Sequence, residues 1–324
     1  MIDFKSTMPF VSGLDPRDLE AQRQVNHLLA QMPHPDVRTP EGLAMLRGAT
    51  APPQAAPVLK PTDVSILGPG GALRLHVFAP EGPARAVFIR IHGGGWAAGA
   101  PEDDEALNDQ IARECDVAIV SPAYRLAPEV SVREQIDDCV AAARWAANES
   151  EKRFRTSRLM IGGNSAGAHL AAATLLHLRD AGDAAFTQMV AAHLDCGAYD
   201  LSKTPSARAA TDATLVLNRT WIDGLFDLAL GGIDSEGRRA PSLSPLYADL
   251  SRLPPALFMV GALDPLLDDS LFMAARWRAA GNRAELDVWP EGGHAFANMG
   301  TPLSSHAFRR TAAFITESVR QERP

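Results

Sequence analysis

The chain has 324 residues, a mass of 34.6 kDa and a formal net charge of −8, with 46% hydrophobic and 22% charged residues. That is the composition of a folded globular protein and excludes a disordered chain. A pI near 5.6 leaves no basic footprint for nucleic acid, and no apolar run of about 18 residues offers a membrane span. The length supplies a sizeable core without staples; at about 150 residues per domain it fits two domains, or one large α/β domain with extra pieces. Cys115, Cys139 and Cys196 are too few and too scattered for a disulfide framework or a zinc site and read as small core residues. The start, Met1-Ile2-Asp3-Phe4-Lys5, shows no basic segment followed by an apolar run, so no signal peptide is expected and the expected location is the cytoplasm.

Taken in chain order, Asp15 to Met32 reads as an amphipathic helix, with Leu19, Val25, Leu28 and Leu29 near helical spacing. A stretch with Pro52, Pro53, Pro57 and Pro61 marks a loop or boundary. Val64 to Leu67, the turn Gly68-Pro69-Gly70-Gly71 and the alternating run Leu73 to Phe78 predict a β-hairpin. Short apolar runs then alternate with helical patterns. Strands are predicted at Val87–Ile91, Val117–Val120, Arg158–Ile161, Met189–Leu194, Ala256–Val260 and Ala284–Trp289. Helices are predicted at Glu102–Glu114, Val132–Asn148, Ala166–Asp180, Leu267–Ala280 and Ser304–Gln321. Continuous apolar strands are those of a buried parallel sheet with helices on both faces, here a doubly wound α/β fold with an antiparallel start. Residues 200–243, with a helical fragment at Trp221–Leu230, break the rhythm and read as an insertion.

Chemistry concentrates where strands end. Gly163-Asn164-Ser165-Ala166-Gly167 stands between a strand and a helix, the context of a nucleophile elbow. Small neighbours permit the tight turn that exposes Ser165, although a plain β–α turn with a serine cap uses the same residues. His92-Gly93-Gly94-Gly95-Trp96 follows another strand, and its glycines let backbone amides approach a ligand closely. No G-x-x-x-x-G-K-[ST] phosphate loop occurs. A serine nucleophile needs a base and a group to orient it. Asp264 and His294 each follow a late strand, in the order Ser, Asp, His that α/β-hydrolases use. Asp268 and Asp269 rival Asp264 but fall in the next helix, and His306 lies in the last one. His92 is expected to anchor the glycine loop and His169 to pack one helical turn beyond Ser165.

With these residues in view, the chain resembles the hormone-sensitive-lipase-like esterases of the α/β-hydrolase superfamily from about residue 60 onward. The resemblance rests on His92-Gly93-Gly94-Gly95-Trp96, Tyr124-Arg125-Leu126-Ala127-Pro128-Glu129, Gly163-Asn164-Ser165-Ala166-Gly167, Ser244-Pro245-Leu246, Asp264-Pro265-Leu266 and His294, in that order. It implies an α/β-hydrolase fold with an eight-stranded, mostly parallel sheet. It also implies a helical cap made from residues 1–50 and an insertion at 200–243 in a catalytic domain spanning 51–324. Departures are Asn164, where the family often has Asp or Thr, the proline-free Val130-Ser131-Val132-Arg133, and Glu291 in place of a frequent glycine.

The implied activity is hydrolysis of short- to medium-chain carboxylic esters through an acyl-enzyme. Ser165 is the expected nucleophile, His294 the base, Asp264 its orienter, and the amides of Gly94, Gly95 and Ala166 the oxyanion donors. Trp96, Trp221, Phe226 and Phe296 are expected pocket walls. No cofactor and no metal is called for, the partner is a small-molecule ester, and the resemblance allows a homodimer. Activity should fall below about pH 6–7 as the histidine becomes protonated. The alternatives are an amidase or formamidase with the same triad, and a non-catalytic small-molecule binding protein on the same fold.

Overall fold

A computed structural model describes residues 11–48 and 56–320 of the chain. The readings at Met1–Lys5, Pro52, Pro53 and Gln321, and the boundary expected between residues 50 and 51, lie outside the described residues. The elements, in chain order, begin with helices α1 (Pro16–Leu29) and α2 (Pro40–Gly48) and the hairpin β1 (Thr62–Gly68) and β2 (Gly71–Phe78). Then come β3 (Val87–Ile91), α3 (Glu105–Cys115), β4 (Ala118–Pro122), α4 (Val132–Phe154), β5 (Leu159–Asn164), α5 (Ala166–Asp180), the short α6 (Ala184–Thr187) and β6 (Met189–Asp195). Helices α7 (Pro205–Ala209) and α8 (Arg219–Leu230) lie in the 200–243 stretch, followed by β7 (Ala256–Gly261), α9 (Leu267–Ala279), β8 (Ala284–Trp289) and α10 (Pro302–Arg320). The helix expected from Glu102 is a 3₁₀ turn over Pro101–Asp104 before α3 begins. Helix α4 outruns its expected end, started by a reciprocal cap in which Ser131 and Glu134 bond each other's backbone amides.

The sheet has eight strands in the order β1-β2-β4-β3-β5-β6-β7-β8. β2 pairs antiparallel with both β1 and β4, and all other neighbours are parallel. Strand residues alternate between two cores, as the two-residue period of a pleated sheet requires. Val87, Ile89, Ile161, Leu194, Phe258 and Val260 join the core on the side of α4, α5 and α9. Phe88, Ile119, Met160, Leu257 and Met259 join Ile111 of α3 and Phe314 of α10 on the other. This burial on both faces is why the strands read as unbroken apolar runs.

From β3 the chain first steps outward to β4, then returns past β3 to β5 and continues in the opposite direction. A crevice outside the strand ends at such a reversal is where open α/β sheets hold ligands. β3 and β5 are adjacent there, so the loops after Ile91 and Asn164 meet.

Arg90 interrupts the apolar run of β3. Its side chain is 5% exposed and reaches Asp104, 9% exposed, at 2.6 Å, and Asn108 at 3.1 Å. Removing one member of a buried ion pair strands the other without solvent. Asp104→Ala should therefore lower unfolding free energy by about 3–5 kcal/mol. The joint replacement Arg90→Met, Asp104→Leu should recover most of that loss. Thermal and denaturant unfolding of the three proteins measure it; a cost below about 1 kcal/mol for the single variant would contradict the buried pair.

Candidate active site

β5 ends at Asn164 and α5 begins at Ala166, leaving Ser165 to make the whole turn at φ 55°, ψ −122°. A non-glycine residue held there stores on the order of 1–3 kcal/mol of strain. The surrounding backbone imposes it. The Ser165 amide donates to the Asp195 carbonyl at 2.9 Å, and the Ser165 carbonyl accepts from Ala168 and His169 in the first turn of α5. A Cβ on Gly163 would sit 2.2 Å from the Ile91 oxygen, and one on Gly167 only 2.1 Å from the same atom. The pentapeptide thus needs glycine at both ends for close approach to β3.

The imidazole of His294, from the loop after β8, reaches that serine. Nε2 is 2.8 Å from Ser165 Oγ, and Nδ1 is 2.9 Å from Asp264 Oδ2 and 3.1 Å from Oδ1. A carboxylate can only accept, so Nδ1 carries the proton and Nε2 accepts from the serine hydroxyl. The Asp264 side chain is fully buried and is fixed in turn by the Leu266 amide, 2.8 Å from Oδ1. Burial alone would depress the His294 pKa, but the charge and hydrogen bond of Asp264, helped by the charge of Asp195, outweigh it and raise the pKa above 6.5.

The glycine loop after β3 lies beside this row. His92 stacks on Tyr124 with ring centroids 4.2 Å apart, and its Nδ1 lies 2.8 Å from the Gly93 carbonyl, so it anchors the loop. Gly94 and Gly95 stand at φ 113° and 59°. Ala166 opens α5, where first-turn amides have no intrahelical acceptor. Gly94, Gly95, Ser165 and His294 share the lining of a cavity of about 150 Å³. Its apolar walls include Leu46 of α2, Trp221, Leu225 and Phe226 of α8, Trp96 and Leu266. Three of the four expected wall residues are therefore on it. Phe296 is not: it packs against Trp289 at 5.8 Å, in the core shared with α3 and α10, because the backbone turns at Ala295 (φ 56°) and sends the next side chain to the other side of the sheet.

The profile of a family described as the alpha/beta hydrolase fold matches residues 88–298, well over half of the chain. The carboxylesterase NlhH of Mycobacterium tuberculosis is 32% identical over 285 residues, covering 85% of this chain and 88% of that one. The carboxylic ester hydrolase LipN of the same organism is 32% identical over 245 residues, 74% of this chain but 64% of LipN, just under two thirds of its length. The chain belongs to the hormone-sensitive-lipase-like esterases of the α/β-hydrolase family. Among solved structures, a bacterial heroin esterase superposes with a TM-score of 0.83 at 28% identity, covering 95% of this chain and 98% of that one. A hyperthermophilic esterase from Pyrobaculum calidifontis gives a TM-score of 0.78 at 26% identity over 94% and 99%. Carboxylic ester hydrolysis is accordingly the reaction class of this protein.

The esterase's rival residues have other partners. Asp269 is buried and accepts from the Tyr199 and Asp200 amides and from Thr204 Oγ1, while Asp268 accepts from the Ser206 amide. His306 meets Asp18 of α1 at 2.9 Å. His169 is buried between Trp96 Nε1 at 3.1 Å and the Leu243 carbonyl at 2.7 Å. Among the described residues, the group close enough to grip a metal is Cys196, Asp264 and His294, with ligand atoms within 4.8 Å of one another. Asp264 and His294 are already bonded to each other, and burial pushes the Cys196 thiol well above its ordinary pKa, against the thiolate that metals require. Sequence reasoning missed Asp195, Leu225 and Leu46. Asp195 could have been noticed as an acidic residue closing an apolar strand. Leu225 and Leu46 carry no signal beyond helical spacing. No helix among the described residues is long and apolar enough to cross a membrane.

Proposed function

We propose that this esterase cleaves short- to medium-chain carboxylic esters through a serine acyl-enzyme. The observation that carries this reading is the unbroken row from Ser165 Oγ through His294 to the buried Asp264. Ser165 Oγ attacks the ester carbonyl carbon as its proton passes to His294 Nε2. The amides of Gly94, Gly95 and Ala166 face the oxyanion that forms. Asp264 holds the imidazole in the required tautomer and balances its cation. Collapse breaks the bond to the alcohol, which leaves with the proton from His294. Water then attacks the acyl carbon, gives a proton to His294, and the acid departs as Ser165 recovers its hydrogen. The protein groups supply every proton transfer in this sequence.

The N-terminal segment, 1–50 in the sequence reading, and the insertion at 200–243 act in this proposal as one cap on a single catalytic domain. Trp221 Nε1 donates to the Pro35 carbonyl at 2.9 Å, His34 Nε2 lies 3.0 Å from the Val216 carbonyl, and the His34 and Trp221 rings meet edge-on at 5.0 Å. Leu46 and α8 both line the cavity, which supports a pocket closed by both segments. At roughly 30 Å³ for a group the size of a water molecule, the cavity suits an acyl chain of about four to six carbons.

Ser165→Ala should lower kcat/KM on p-nitrophenyl butyrate by at least about 10⁴-fold and abolish labelling by a fluorophosphonate; undiminished turnover removes Ser165 from the reaction. Because the His294 pKa is raised above 6.5, the neutral base is lost as pH falls through that raised value. The acid limb of kcat/KM should have its midpoint above 6.5, and a limb below it would contradict the Asp264–His294 coupling. Across a p-nitrophenyl ester series, turnover should fall sharply beyond about six acyl carbons, each poorly fitting methylene costing about 1–3 kcal/mol. Leu225→Ala should shift the optimum to longer chains, and an unchanged chain-length profile would take α8 out of the acyl wall.

A further inference from the structure

β6 ends on Asp195, whose register partner is Asn164 at the end of β5. Its carbonyl holds the Ser165 amide. Its side chain turns toward α3 and α10 and lines a cavity of about 30 Å³ with Arg90, Asn164, His193 and Thr311. That is about one water molecule's share of volume. Asp195 is 5% exposed, and Oδ1 has no hydrogen-bond partner among the described residues. A carboxylate so placed is cut off from bulk solvent and needs a compensating charge.

The charged and titratable groups around it come from every neighbouring element. Arg90 on β3 is engaged with Asp104 at 2.6 Å, from the turn before α3. His193 lies two residues back along β6, 3.2 Å from Thr311 Oγ1. Burial, then the charges of Arg90 and of Arg310 on α10, hold its pKa down to about 3, so its ring is neutral. Cys196 beside it is a buried thiol raised well above its usual value. Asp264 and His294 stand beyond the strand ends, within electrostatic range of Asp195. Burial first, and then the like charge of Asp264, push the Asp195 pKa up to about 7, against the opposing pull of His294 and Arg90. His294 in turn feels the charge of Asp195. Two groups that interact and both change charge near neutrality titrate as a pair.

We propose that Asp195 is a positioning residue for ester hydrolysis: from behind the strand ends its charge biases His294 toward the imidazolium that forms when Ser165 gives up its proton. The proposal rests on the Ser165–His294 reading above. The isosteric Asp195→Asn removes the charge and keeps the shape. The acid limb of kcat/KM on p-nitrophenyl butyrate should then move to lower pH, since an imidazolium with less support loses its proton sooner. A merely structural side chain would lower activity at every pH and leave that midpoint in place.

Unfolding gives a second measurement that needs no activity. Asp195 has a folded pKa raised from 3.8 to about 7, so its proton-linked stabilisation is fully present below the unfolded value and is lost as pH rises through about 7. The unfolding temperature of the Asn variant, relative to the parent, should therefore climb between about pH 4 and about pH 7 and level off above that. Absence of either change in a folded variant overturns the proposal. If Asp195→Asn does not fold, Asp195→Ser takes the same two measurements, and failure of both to fold assigns the residue a purely structural part and overturns it as well. An active Asp195→Asn protein with an unmoved limb counts against Asp195 alone. A parent enzyme indifferent to loss of the Ser165 hydroxyl counts against the site reading, and the unfolding comparison is still readable.

Discussion

The carbonyl oxygen of Ile91 stands where a methyl group on Gly163 or Gly167 would have to go, 2.2 Å and 2.1 Å from the two ideal positions. Backbone of the elbow is thus in direct contact with backbone at the end of β3, with no side chain between. The placement of the glycine loop against the elbow follows from that contact. It brings the loop that begins at His92 against the turn that presents Ser165. It also forces the serine to absorb the change of direction in one residue, at a positive φ. The strain is held by bonds on both sides, from Ser165 N to the β6 carbonyl and from the α5 amides to the Ser165 carbonyl. The parallel sheet supplies the rigidity, since both faces of β3, β5 and β6 are buried.

Around this fixed turn the polar groups fall into two sets with different treatment. Asp264 is buried but answered, by the imidazole and by the Leu266 amide. Asp104 is buried and answered by Arg90. Asp195 is buried and has one oxygen unanswered. A buried carboxyl without a partner costs stability, and proteins carry such costs mostly where charge balance matters. Its position, one hydrogen bond from the serine backbone and within electrostatic range of His294, is the place where such a cost bears on the reaction proposed here.

Most of the architecture was legible because it is written in period and punctuation. Unbroken apolar runs gave the strands, and the residues that follow them, His92, Ser165, Asp264 and His294, stand where order and strand ends predict. What failed has a common cause. Phe296 follows the histidine by two residues and looks like a pocket wall, yet the direction of a loop side chain depends on the backbone turn at Ala295, which no pattern encodes. Helix α2 went unpredicted because its nine residues, Pro40–Gly48, are too few for a helical period to stand out. Asp195 closes an apolar strand, and acidic residues at strand ends are ordinarily solvated; the packing of α3 and α10 over it shields it from bulk solvent.

The length of the chain beyond a minimal α/β domain lies in the N-terminal segment and in residues 200–243. The triad proposed above joins residues from Ser165 to His294 at the strand ends of one sheet, and in that proposal the extra residues are additions to a single unit. The two additions are remote in sequence, but Pro35 and Trp221 bond, and Gly224 leaves room for the side chain of Val37, 2.6 Å from where its own Cβ would lie. Leu225 then presses on Gly95, its methyl groups 2.6–2.7 Å from a Cβ there. The same helix therefore touches both the N-terminal segment and the glycine loop. Helix α8 is therefore the place where the proposed acyl pocket, the N-terminal segment and the loop of proposed oxyanion donors meet.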